Sequence, residues 1–235
     1  MREYSEVVAF VTGANRGLGA AFAEALVELG AKKVYAGARD PGAVHIPGVT
    51  PVRLDVTDRT HVIDLAQRLP DVTMLINNAG IHQRTSLFDG DVVEVVDSVM
   101  RTNLLGTLAV SAALTPVLLA NGDGVIANVL SAGSWLAGPG NAAYTVSKAA
   151  GLSLTNNMRA ELGPRGIQVT AIHAGFIDTD MMARFTGPKL SPRTVADTAL
   201  SEIAAGSQEV LVDEMSRKAK AAAALPIPPY QRGMH

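Results

Sequence analysis

The sequence predicts one doubly wound α/β domain, a parallel sheet with helices on both faces. Three observations predict it. Short β-branched apolar runs alternate with segments of helical apolar spacing, ten or more residues long. A glycine-rich turn joins the first run to the first helical segment. Polar residues gather just after several later runs, where an open parallel sheet binds its ligands. The size agrees: 235 residues, 48% hydrophobic and 18% charged, can bury one sizeable core and are too apolar for disorder.

Each element follows from local chemistry. Residues 7–12, Val-Val-Ala-Phe-Val-Thr, read as a strand buried on both faces and stopped by Gly13. Residues 18–29 carry apolar positions at helical spacing and end at Gly30, a natural C-cap. Residues 33–37 and 52–54 read as strands, 59–69 as a helix and 72–76 as a strand. A helix from about Asp91 and a further helix through Ala120 precede a strand over 124–130. A long helix over 141–162 closes at Gly163-Pro164. A strand over 167–172, a helix over 191–205 and a short strand over 209–212 complete the pattern. No repeat or low-complexity linker divides residues 1–235, so one domain of Rossmann type is expected, with residues 213–235 as a C-terminal tail.

Composition removes several function classes. Lys plus Arg number 20 and Asp plus Glu 22, a net charge of −2, so no footprint for nucleic acid or an anionic membrane is expected. With no cysteine there is no thiolate chemistry or Cys-based metal site, and the five scattered histidines form no zinc-type pair. The first six residues carry three charges rather than a basic region and an apolar run, so a cytoplasmic protein is expected. Residues 104–120 are apolar and long enough to suggest a membrane span. Gly106, Thr107, Ser111, Thr115 and Pro116 interrupt them and Asn121-Gly122 ends them, which favours a buried helix and no membrane.

The turn Thr12-Gly13-Ala14-Asn15-Arg16-Gly17-Leu18-Gly19 stands between the first strand and first helix. Glycines there let the chain turn tightly and approach a pyrophosphate, which the free N–H groups of a helix N-terminus attract. The spacing is GxxxGxG, unlike the common dinucleotide fingerprint, and no Lys-Ser/Thr follows as in a P-loop. Taken alone, the turn also fits a tight bend with no ligand. Ala38-Arg39 ends the second strand where NAD enzymes often place an acid, and Arg16 lies in the turn, so two guanidiniums can flank a 2′-phosphate. Asp55 suits either an adenine amino group or the cap of the next helix.

At the ends of later strands stand Asn77-Asn78-Ala79-Gly80, then Ser131, then Ala174-Gly175. Tyr144 and Lys148 are four apart and share a helix face. A free phenol has a pKa of about 10, and a nearby ammonium and a positive nicotinamide ring would favour its phenolate and bring proton exchange within reach. Such Tyr/Lys pairs are more often solvated helix surface.

In this order and spacing the motifs resemble the short-chain dehydrogenase/reductase superfamily in its single-domain form. The glycine turn, Asn77–Gly80, Asn103 in Asn-Leu-Leu-Gly, Ser131 and Tyr144-x-x-x-Lys148 follow the family order, and the Ser131–Tyr144 interval is thirteen. The resemblance spans about residues 7–179. It implies a nicotinamide-dependent oxidoreductase acting on a CH–OH group or carbonyl of a small molecule, with NADP(H) preferred on the evidence of the two arginines. Tyr144 would be the acid/base, Lys148 would lower its pKa and hold the nicotinamide ribose, and Ser131 would orient the substrate. Asn103 would hold a water in the proton path. For the cofactor it implies contacts from Gly13, Asn15, Arg16, Gly17, Leu18 and Gly19, then Arg39, then Asp55 and Val56. Asn78, Ala79 and Gly80 follow, then Tyr144 and Lys148, and finally Gly175, Ile177 and Thr179. No metal is implied. In the family the two long helices pair across a two-fold axis, so a homodimer or homotetramer is expected.

Departures from the family pattern fall near the substrate. His173-Ala174-Gly175 replaces the usual Asn-Pro-Gly, residues 180–191 form a short substrate loop, and Asp213-Glu214-Met215 replaces Asp-Gly-Gly. His82, Trp135, Phe176, Met181 and Met182 are either pocket residues or packing. Ser134 is ten residues from Tyr144, so Ser131 is preferred. The alternative function is a non-catalytic NAD(P)-sensing regulator on the same fold.

Overall fold

Along the first strand, β1 (Val8–Thr12), alternate side chains enter opposite cores. Val8 and Phe10 pack into one, Ala9 and Val11 into the other. The same division holds in β4 (Met74–Asn77), where Leu75 faces one side and Met74 and Ile76 the other. This is why the central runs read as continuously apolar: a parallel sheet covered on both faces has no wet side. The computed structural model describes residues 2–88 and 90–226.

The other strands are β2 (Lys33–Ala38), β3 (Thr50–Arg53), β5 (Val125–Val129), β6 (Gln168–His173) and β7 (Glu209–Leu211). All pair in parallel, in the order β3-β2-β1-β4-β5-β6-β7. One face is covered by α1 (Gly17–Glu28) and α7 (Pro192–Ala204), whose Phe22, Leu26, Leu200 and Ile203 are fully buried. The other is covered by α2 (Arg59–Ile63), α3 (Leu65–Arg68), α5 (Thr107–Asn121) and α6 (Ala142–Leu162). The α4 helix (Val92–Met100) packs on α6. The chain winds outward in opposite directions from β1 and β4, which opens a cleft at their C-terminal ends. The predicted doubly wound α/β architecture is the observed one.

Three local differences separate the elements from those expected. The helix expected over 59–69 breaks at Asp64 (φ −101°, ψ 7°) into α2 and α3. The two helices expected between Asp91 and Ala120 run on through a π-helical segment at Arg101–Gly106. The resulting Val92–Asn121 run is long and apolar enough to cross a membrane, and one face of it, Val110, Leu114 and Leu118, packs on the sheet. The expected tail begins instead with α8 (Glu214–Ala223), because Asp213 caps it through Ser216 N–H at 2.8 Å and Ser216 and Ala219 are buried on one side. The tail beyond residue 226 lies outside the described residues.

Candidate active site

The glycine turn is built on left-handed backbone. Gly13 and Gly17 have φ of +66° and +57°, where a side chain would be strained. Gly19 is needed for a different reason: a Cβ there would lie 2.1 Å from the Gly13 carbonyl oxygen. The turn is tied to the end of β4 by Asn78, whose Nδ2 donates to the Thr12 and Gly13 carbonyls at 3.0 and 3.2 Å. Thr12 Oγ1 accepts from the N–H groups of Asn78 and Ala79, both at 3.0 Å. Asn78 therefore shapes the turn as well as lining the cleft.

From this turn a single cavity of about 1040 Å³ runs to α6. Gly13, Asn15, Arg16, Gly17 and Leu18 line one end, with Arg39, Asp55 and Val56 beside them. Asn78, Ala79 and Gly80, then Gly175, Ile177 and Thr179, continue the wall to Ser131, Tyr144 and Lys148. Of the residues that the family resemblance assigns to catalysis or the cofactor, Gly19 and Asn103 do not line it. Gly19 lies beneath the turn. Asn103 sits behind the wall: its Oδ1 accepts from Ile81 N–H at 2.8 Å, and its Nδ2 donates to Ile81 O and Ser147 Oγ, both at 3.0 Å. The side chain holds Ile81 rather than facing the cleft.

Arg39 is exposed and makes no ion pair among the described residues. Asp40 does not hold it, because Asp40 Oδ1 accepts from Gly42 N–H at 2.9 Å. Arg16 is engaged: its Nη1 meets Asp180 Oδ2 at 2.8 Å, with the two side chains 68% and 75% exposed. Asp55 caps its own turn, its Oδ1 accepting from Thr57 N–H and Oγ1–H at 2.9 and 2.7 Å. Burial opposes ionisation of Asp55, but the Thr57 bonds, with the nearby Arg39 and His61 charges, outweigh it and hold the carboxyl below its ordinary value.

At the far end, Ser131 follows β5 and its Oγ accepts from Gly133 N–H at 3.0 Å. Burial raises the Tyr144 phenol above its ordinary value, and the nearby Ser131 hydroxyl pulls it partly back. Burial pushes the Lys148 ammonium down to about 8. Its Nζ donates to Val129 O at 2.8 Å and stands 5.5 Å from the Tyr144 ring centre. The raised Tyr144 value runs opposite to the lowering expected from Lys148 together with a nicotinamide ring. Desolvation dominates for both groups.

His173 explains one departure. Its imidazole is fully buried, stacked on Trp135 with ring centres 4.1 Å apart, and Nδ1–H donates to Ser131 O at 3.1 Å. Burial pushes it down to about 4, so it is neutral and supports the serine from behind. Trp135 is therefore packing, whereas Phe176, Met181, Met182 and His82 line the cavity. Asp213 Oδ2 accepts from Gly175 N–H at 2.9 Å, tying the loop after β6 to α8. Gln83, Leu136, Asn141 and Met215 also line the cavity and were not anticipated. Met215 arrives there through the β7–α8 connection, for which spacing gives no signal. Asn141 could have been suspected as the residue preceding α6. Among the described residues there is no acidic or histidine cluster for a metal.

These residues fit a nicotinamide dinucleotide: the turn permits close backbone approach, and one cavity joins it to a proton-bearing phenol. A family model described as short chain dehydrogenase matches residues 7–189. The chain belongs to that family and is an oxidoreductase acting on CH–OH groups with a nicotinamide cofactor. It is similar to a crystal structure of a short chain dehydrogenase from Burkholderia cenocepacia J2315 in complex with NADP, with a TM-score of 0.88, 40% identity and 93% of each chain covered. It is 33% identical over 217 residues to 2-(R)-hydroxypropyl-CoM dehydrogenase of Xanthobacter autotrophicus, covering 86% of this chain and 87% of that one. It is 36% identical over 200 residues to short chain dehydrogenase tazN of Aspergillus terreus, covering 78% of this chain and 43% of that longer one.

Proposed function

We propose that the chain transfers hydride between NADP(H) and a carbonyl or secondary alcohol of a small organic substrate, with Tyr144 as the acid/base. One observation carries this: Ser131, Tyr144 and Lys148 meet at one end of the cavity whose other end is the glycine turn. When bound, the dinucleotide supplies or accepts the hydride. In the reductive direction, burial keeps Tyr144 protonated at ordinary pH, ready to protonate the carbonyl oxygen held by Ser131. Lys148, still mostly charged at neutral pH, then stabilises the phenolate left behind. Its effect falls after proton transfer rather than before it.

The NADP(H) preference rests on Arg39, free of ion pairs among the described residues, with Arg16 in reserve behind an exposed pair. A sensing protein without catalysis would need no proton donor, and the Ser131–Tyr144–Lys148 set favours the enzyme. We further propose a cytoplasmic homodimer or homotetramer. Val93, Leu105, Leu108 and Val146 lie on the α4–α6 side at 73%, 52%, 42% and 47% exposure, a composition suited to a covered face.

NADPH consumption with a panel of ketones and aldehydes tests the activity. Tyr144→Phe is expected to lower kcat by at least about 10²-fold, while NADPH binding, followed by fluorescence, changes little. A variant retaining more than about a tenth of wild-type kcat removes Tyr144 from the proton transfer.

A further inference from the structure

The strand order places the reacting end of the cavity between two unlike walls. Ser131 follows β5. His82 follows β4 on one side of it, whereas Phe176 follows β6 and Met215 follows β7 on the other. The β6–β7 side carries the apolar lining residues Phe176, Met182 and Met215, together with Leu136, and its polar lining residues Thr179 and Asp180 belong to the loop that meets Arg16 and Gly17. Phe176 is fixed by stacking on Phe185, ring centres 3.9 Å apart.

The β4 wall is polar and ordered. His82 Nε2 lies 2.9 Å from Asn141 Oδ1, and the ring meets Tyr144 edge-on with centres 5.2 Å apart. An amide oxygen only accepts, so Nε2 carries the proton and Nδ1 is left as an acceptor. Nδ1 has no partner among the described residues, and Asn141 Nδ2 makes only a 3.5 Å contact to Pro139 O. The wall is held in place from behind. Asn103 grips both backbone groups of Ile81, and Thr85 N–H donates to Gly140 O at 3.0 Å. A donor and an acceptor thus stand ready beside the phenol.

We propose that the substrate is a ketone with two unlike arms, one apolar arm on the Phe176–Met215 wall and one arm bearing an oxygen on the carbon next to the carbonyl. His82 and Asn141 bind that oxygen, which makes His82 a specificity-determining residue. The class is the α-hydroxy ketone, interconverted with a vicinal diol. Reduction adds a hydride to the carbonyl carbon, for which NADPH is the stoichiometric donor and becomes NADP⁺, and a proton from Tyr144 to the oxygen. Because the arms are not interchangeable between walls, one face of the carbonyl is presented and one diol enantiomer results. This inference rests on the proposed oxidoreductase activity.

The test uses 2-hydroxyacetophenone and propiophenone, which differ by a hydroxyl against a methyl group. The ratio of their kcat/KM values with NADPH is measured in wild type, His82→Leu and His82→Gln, with chiral analysis of the diol. A site built to bond a hydroxyl loses heavily with an analogue lacking it. Wild type is expected to prefer the hydroxy ketone by at least about tenfold, and His82→Leu to reduce that ratio at least about fivefold and erode enantiomeric purity. His82→Gln, which keeps a hydrogen-bonding side chain, restores most of the ratio. Comparing variants cancels the greater intrinsic electrophilicity of the hydroxy ketone. An unchanged ratio in His82→Leu, or a wild-type ratio near one, overturns the assignment. So does reduction of other carbonyls but neither of these, or a His82→Leu ratio that falls without any recovery in His82→Gln. If NADPH is consumed with no carbonyl in the wider panel, the oxidoreductase reading itself fails.

Discussion

Replacing Arg39 by alanine removes a cation from the end of β2 without disturbing the fold, since the side chain is exposed and makes no ion pair among the described residues. A charge-assisted hydrogen bond to a 2′-phosphate is worth about 1.5–3 kcal/mol. Exposure points to the lower end, because a pair about 4 Å apart in water gains only ~1 kcal/mol. A loss of about 1.5–2 kcal/mol lowers kcat/KM for NADPH by about 10–30-fold. NADH offers a hydroxyl there and its kcat/KM should change by less than about threefold. Arg16→Ala should cost less than Arg39→Ala, because Arg16 must first leave Asp180, its partner at 2.8 Å. The assay is kcat/KM with each cofactor at low and high salt; the Arg39 effect shrinks as the Debye length falls below about 10 Å. An Arg39→Ala enzyme that keeps the wild-type ratio of NADPH to NADH efficiency refutes the reasoning.

Three further outcomes are expected. Lys148 titrates near 8 in the fold against 10.5 when unperturbed, so between these values the unfolded chain holds more protons and the stability of the cofactor-free protein rises with pH. Lys148→Met should lack this rise, worth up to about 3 kcal/mol, in urea unfolding at pH 7.5 and 10. His173 titrates near 4 against 6.5 when unperturbed, so stability falls as pH drops from 6.5 towards 4. His173→Asn should be flatter over that window by about 3 kcal/mol at most, and identical acid unfolding curves would show that the buried imidazole is not the group being charged. Sedimentation at micromolar concentration should show a dimer or tetramer, and Leu108→Glu should shift it towards monomer; a wild type that is only monomeric removes the proposed assembly.

Much of the fold was legible because buried parallel strands and their covering helices leave periodic signatures. The run at Val7–Thr12 could only be covered on both sides, and Gly13, Gly17 and Gly19 marked where backbone had to bend or approach closely. The Tyr144–Lys148 spacing put both side chains on one helix face, and the position of Ser131 at a strand end put it beside them. These are local consequences of chain geometry.

What the sequence could not decide was the partner of each polar group. Arg16 was read as a phosphate ligand, and only the path of the loop after β6 brings Asp180 to it. Asn103 carried a motif, but the π-helical turn aims its amide at Ile81. The pKa balance at Tyr144 depends on desolvation, a property of everything packed around a group and not of its neighbours in sequence. Asp213 looked like the start of a tail until folding placed it against Gly175 and the first turn of α8. The sequence by itself determined the sheet, its covering helices and the residues at its ligand-binding edge, because backbone periodicity and turn chemistry are local. The tertiary structure alone decided which charges meet, which groups lose water and which side chains line the cavity together, because those depend on contacts between segments far apart in the chain.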